Sequence, residues 1–179
     1  MERSNADVVL PQLGAAAREL LVAYGLEVGE PEPFAGPCGA DETHVAAMMG
    51  FMGDACEGVL AIQAPTNLID ACAQIPGSIA GDPAALADWI GELTNQLLGR
   101  MYNKLLSYER ITRMTRPMFA APGELGGAGP DRVRTTWLRV PTSAGHVLVV
   151  LELHAAAALV RCSEAEQPIP MHEGELALF

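Results

Sequence analysis

The chain has 179 residues, half of them apolar, an ordinary size for one soluble domain with a real core. Its net charge of −11 at pH 7 argues against a nucleic-acid partner, because phosphate affinity scales with the number of cations presented. The longest apolar runs, "AAAALV" and "HVLVVLEL", are too short to span a membrane, and the N-terminus lacks the basic-then-apolar order of a signal peptide, so a cytoplasmic protein is expected.

Residues 7–25, "DVVLPQLGAAARELLVAYG", predict a first helix. Leu10, Leu13, Ala17, Leu20, Leu21 and Tyr24 recur at three- and four-residue steps, and Gly25 is a natural stop. A connector rich in Pro and Gly follows, "VGEPEPFAGPCGADE". Two apolar runs, "HVAAMMGFMG" and "GVLAIQAP", flank "DACE" and predict a hairpin, with Met48, Met49 and Met52 read as core filler. "TNLIDACAQIPG" predicts a short helix that Thr66 caps and Pro76-Gly77 ends.

A long helix is expected over Asp82 to Glu109, with Asp82 as N-cap and Pro83 at the first helical position, where its missing N–H costs nothing. Beyond the turn "APGELGGAGP", the runs "RVRTTWLRVPT" and "HVLVVLELHAAAALVR" predict two or three strands, "HVLVVLEL" being apolar enough to pair at an edge. Residues 163–179 are acidic and proline-punctuated, a tail or edge segment. The order predicts a single α+β domain over 1–179, with helices packed on a largely antiparallel sheet.

Cys38, Cys56, Cys72 and Cys162 form no CxxC and read as free thiols; His44, His146, His154 and His172 are isolated, and no metal site is expected. Charge is uneven. Residues 1–99 hold two basic side chains against fourteen acidic ones, whereas 100–139 hold eight of the eleven basic ones. That cluster fits a protein partner with its own charged face, or cations gathered near the C-terminal end of a helix. Arg132, Arg134 and Arg139 have no assigned role; the alternation in "RVRTTWLR" fits the solvent side of a strand.

With about 100° per residue, Leu86, Ile90, Leu93, Leu97 and Met101 fall in one sector of the long helix about 80° wide, its core face. Asp88, Glu92, Asn95 and Gly99, spaced by four, three and four, form a second strip almost opposite, bordered by Tyr102. Acids on such a face usually mean plain solvation. Gly99, however, costs about 1 kcal/mol relative to Ala in a helix interior, and Asn95 is a mediocre helix former. A glycine beside an acid and an amide suits a face that another backbone must approach closely.

The pattern Asp88-x3-Glu92-x2-Asn95, followed by Gly99 and later Pro117, resembles the active-site signature of the CheC/CheX/FliY chemotaxis phosphatases. "GELTNQLLGRMYNKLL" is similar to the corresponding helix of CheX, and "GFMGDACEGVLAIQAP" resembles the family's hairpin. The likeness spans roughly residues 40–155. One signature copy, where CheC-type members carry two, points to the CheX side; the first helix has Glu19 but no Asn three residues later.

The resemblance implies a CheC-like fold whose long helix carries the active-site strip. It also implies dephosphorylation of the aspartyl phosphate of a CheY-like receiver. Asn95 would orient the attacking water and Glu92 would pair with the receiver's lysine. Asp88, Gly99, Arg100 and Tyr102 would contact the partner, with Lys104 beside Arg100 at the strip's flank. No cofactor of the chain's own is implied, Mg²⁺ coming with the receiver, and the family's state is a homodimer. Three rival readings stand beside it. They are a receiver-binding or flagellar-switch-like module without catalysis, an oligomeric scaffold whose acidic helix face binds a basic partner, and a hydrolase using Asp88 and Glu92 as a carboxylate pair.

Overall fold

A computed structural model of the chain describes residues 5–35, 44–53, 56–73, 79, 81–106, 111–120 and 134–155. The Pro76-Gly77 stop, the turn "APGELGGAGP", the acidic segment 163–179 and Cys38, Cys162 and Arg132 lie outside them. In chain order the elements are α1 (Asn5–Ala23), β1 (Glu32–Phe34), β2 (His44–Gly53), β3 (Cys56–Pro65), α2 (Thr66–Ala73), α3 (Pro83–Leu105), β4 (Ile111–Met114), β5 (Met118–Ala120), β6 (Arg134–Thr142) and β7 (Gly145–Ala155).

All strand pairs are antiparallel, in the order β1-β6-β7-β3-β2-β4, with β5 also on β2. This is the α+β architecture expected from the sequence, helices on an antiparallel sheet. "HVLVVLEL", offered as an edge, is instead interior: β7 pairs with β3 on one side and β6 on the other. Its apolar character follows from burial on both faces of the sheet. Val147, Val149 and Leu151 join the core under the helices, while Leu148 and Val150 join a smaller cluster with Ala46, Ala61 and Trp137 on the opposite face.

Three strands were not anticipated, and all are short. β1 lies inside the Pro-rich connector, held by Glu32 and Phe34, which clasp Arg139 of β6 by a 2.6 Å ion pair and a ring contact at 5.4 Å. β4 and β5 are two halves of one broken edge strand along β2, meeting Phe51–Gly53 and Ala46–Met48. Between them Thr115 bonds Gly50 in both directions, N to O and N to Oγ1, each at 2.9 Å. Pro117 donates no hydrogen bond, so pairing breaks there.

The methionines divide. Met49 is fully buried, Met48 is half-buried on the opposite face, and Met52, expected in the core, is 45% exposed at the β4 edge. Cys72, buried in α2, is a free thiol whose burial pushes its pKa up to about 11, which keeps it unreactive. No described helix is long and apolar enough to cross a membrane.

The tightest approach in the sheet is at Gly58, where an added Cβ would run onto the carbonyl oxygen of Glu152 and sit 2.9 Å from Cζ of Phe51. Gly58→Ala is therefore expected to lower stability in urea by at least about 2 kcal/mol. An unchanged midpoint would show that β3 and β7 can separate at no cost.

Candidate functional site

The site is built on α3. The Asp82 carboxylate accepts from the backbone N–H groups of Ala84 and Ala85 at 3.0 and 3.2 Å, fixing the helix start one residue before Pro83. Leu86, Ile90, Leu93, Leu97 and Met101 are buried as their spacing predicts. Burial continues round the helix through Gly91, Thr94, Leu98, Tyr102 and Leu105, because α3 packs both on β2 and β3 and against α1. Thr94 is tolerated there by donating its hydroxyl to the Ile90 carbonyl at 2.7 Å.

What remains outside is a narrow crest. Asp88 and Glu92 are exposed on it, and Asn95 and Gly99 are half-buried at its margin. Tyr102 corrects the expectation that it borders the strip for a partner. It is 4% exposed and belongs to the main core, its ring turned into the wider buried arc that the sheet imposes. Arg100 is half-buried. Lys104 does not flank the strip either; it reaches α1, where its Nζ lies 2.7 Å from the Glu19 carboxylate.

Each side of the crest has a fixed neighbour. On the sheet side, a Cβ at Gly91 would stand 3.2 Å from Cβ of Pro117, so the corner between β4 and β5 rests directly on the helix backbone beside Glu92. On the other side lies the end of α1. Its last turn closes with the Leu26 N–H on the Leu21 carbonyl at 3.3 Å and the Gly25 N–H on Val22 at 2.9 Å, with Gly25 at φ 82°. This is a Schellman motif, and it sets Tyr24 facing α3. The Tyr24 ring meets Trp89 edge to face, centroids 6.3 Å apart, and its hydroxyl lies 3.2 Å from Oε1 of Gln96. Gln96 Nε2 in turn donates to Oε1 of Glu92 at 2.8 Å.

Asn95 stands apart. Its Oδ1 is buried and has no hydrogen-bond partner. A buried amide oxygen without a protein partner is costly, and such a group calls for an explanation. The strip therefore combines an exposed carboxylate held on one oxygen with a half-buried amide whose oxygen has no partner, one turn apart.

An open groove of about 950 Å³, lined by Phe51, Met52, Arg113, Arg116 and His154 among others, runs along the β2–β4 edge and contains none of the strip residues. A small-molecule substrate would favour the groove. An exposed polar strip on a helix instead fits contact with another macromolecule.

No family model matches the chain, and no curated protein matches it. Solved structures do. A chemotactic CheC-like protein from Shewanella oneidensis MR-1 superposes with a TM-score of 0.61 at 16% identity, covering 82% of this chain and 95% of its own. The chain has the CheC-like fold. Chemotaxis protein CheX from Vibrio vulnificus gives 0.56 at 15% identity, over 84% of this chain and 97% of its own. A chain of the CheX–CheY–BeF3–Mg²⁺ complex from Borrelia burgdorferi gives 0.61 at 14%, over 84% and 98%. The resemblance read from the helix and hairpin thus extends to the CheC-like architecture as a whole.

Sequence reasoning missed Gly91, Gln96 and Tyr24. Gln96 was legible, since it lies four residues after Glu92 on a helix, where side chains meet. Tyr24 was not, being 72 residues distant. Because Tyr102 is core, Tyr102→Ala should cost about 3–5 kcal/mol in equilibrium unfolding, whether or not a partner is present. A stable Tyr102→Ala protein would restore the ring to the surface.

Proposed function

We propose that this CheC-like chain dephosphorylates the aspartyl phosphate of a CheY-like receiver in chemotaxis or two-component signalling. The observation that carries the reading is the exposed Glu92 carboxylate one turn from the half-buried Asn95, whose buried Oδ1 has no hydrogen-bond partner, both on the strip of α3 opposite its core face. The Borrelia burgdorferi neighbour, a CheX solved with CheY, supports the choice of partner.

In the reaction, water attacks phosphorus, the bond to the aspartyl oxygen breaks, and the receiver's carboxylate and inorganic phosphate are released. Such a transfer asks a protein mainly for a placed water and stabilised charge. Asn95 orients that water: an amide both accepts from and donates to it without changing protonation. Glu92 pairs with the receiver's lysine and sets the helix in register, a contact desolvated only on docking. Asp88, on the same crest, adds a second docking contact, and Gly99 keeps the surface low where the receiver's loops approach. Mg²⁺ would be held by the receiver. A homodimer is the state the resemblance implies, and it would not pair through β7, which is interior.

A second reading, binding a receiver without turnover, draws on the half-burial of Asn95. The acyl-phosphate lifetime of a receiver, with and without this protein, separates the two. Asn95→Ala should lower the rate at least about 100-fold with an unchanged melting temperature, because the truncation removes no hydrogen bond of Oδ1. Full activity in that variant would dismiss the water-orienting role. Glu92→Ala should raise the receiver concentration needed for half-maximal rate about tenfold or more while sparing the rate at saturation. A normal concentration dependence would remove Glu92 from docking.

A further inference from the structure

Glu92 is on an exposed helix face, where a glutamate ordinarily samples many rotamers and surrenders them on binding. Here it does not stand alone. We propose that Gln96, braced by Tyr24, is a positioning residue that presets the Glu92 carboxylate for the receiver lysine; this rests on the docking role given to Glu92 above.

The hydrogen bonds allow one arrangement. A carboxylate only accepts, so the amide NH₂ of Gln96 must face Glu92, as it does at 2.8 Å. The amide oxygen then faces Tyr24, whose hydroxyl donates to it at 3.2 Å. A glutamine four residues from a carboxylate on a bare helix surface is a weak tether, because water competes for both ends. Gln96 differs in being half-buried and held at its far end.

The brace is itself fixed. Tyr24 is set by the Schellman closure of α1, which needs the positive φ of Gly25, and its ring is seated edge-on against Trp89, one turn before Glu92's neighbours on the same helix. The chain of contacts thus runs from the end of α1 to one carboxylate oxygen of Glu92. The other oxygen, Oε2, is left to receive an ammonium group. Tyr24 and Gln96 touch neither the phosphate nor the water; they act through Glu92.

The test is a double-mutant cycle on the full chain. The affinity for a beryllofluoride-loaded, Mg²⁺-bound CheY-like receiver and the dephosphorylation rate at saturating protein are measured for Gln96→Leu, Glu92→Ala and the pair, with Tyr24→Phe alongside. Gln96→Leu should weaken binding roughly threefold to tenfold and leave the saturated rate within about twofold. Tyr24→Phe, which keeps the ring against Trp89, should shift affinity the same way by less. In the Glu92→Ala background Gln96→Leu should change nothing further.

Native affinity in Gln96→Leu while Glu92→Ala is impaired would overturn the proposal and leave the proposed function standing. So would an effect of Gln96→Leu that persists undiminished without Glu92, since Gln96 would then act on its own. Native affinity in Glu92→Ala would instead sink the docking role, and this inference with it.

Discussion

α3 is pressed from two directions at once, by the sheet beneath it and by α1 running antiparallel beside it, and the narrowness of what is left decides the character of the site. An amphipathic helix on a sheet alone would expose half its surface. Here the buried arc extends from Leu93 and Leu97, which meet Ala17 and Leu20 of α1 near Ile62 of β3, round to Gly91 and Tyr102. Between residues 85 and 106 only Asp88 and Glu92 remain exposed. Anything polar placed there is either outward or, as with Asn95, caught at the boundary. That geometry makes the strip a ridge of two exposed acids with a half-buried amide and glycine at its margin.

The same compression explains why the sheet edge is broken. β4 and β5 would form one continuous strand on β2 if the chain between them kept its pairing. Pro117 stops this and drops its ring onto the helix at Gly91, where a Cβ at residue 91 would crowd it. The break has a second effect. A long unpaired edge bearing Met118 and Phe119, both more than half exposed, would invite pairing with other chains, and two short interrupted segments blunt it.

Legibility in the sequence followed the length and regularity of each signal. The 23-residue α3, with its Asp82 cap and repeating leucines, and the ten-residue strands of the hairpin were plain, because many residues reported one period. β1, β4 and β5, of three or four residues each, were not. Such short strands carry no period, and their existence is decided by neighbours: Arg139 holding Glu32, Gly50 holding Thr115. The strip's residues were found from helical arithmetic, but arithmetic misjudged its borders. Tyr102 and Lys104 depend on how far the sheet and α1 wrap the helix, and Glu19, which claims Lys104, lies 85 residues away. β7 was misjudged for a related reason. An apolar strand looks alike whether its edges are free or paired, and only the crossover order settles which.

A ridge also limits what chemistry the chain can do by itself. Catalysis of hydrolysis draws on enclosure, since electrostatic and positional effects weaken where bulk water enters. The crest between Tyr24 and Pro117 carries Asp88 and Glu92 exposed. A carboxylate pair acting on a free substrate would need such a chamber, so Asp88 and Glu92 on this exposed turn are poorly placed for it. An acyl phosphate already seated in a partner's pocket reverses the requirement: the pocket brings the enclosure and the charge, and lacks only a placed water. Under those conditions the demands on the ridge are rigidity and reach. The brace from α1 supplies the first for Glu92, and the unsatisfied oxygen of Asn95 gives that amide a reason to turn outward once a partner offers it something to bind.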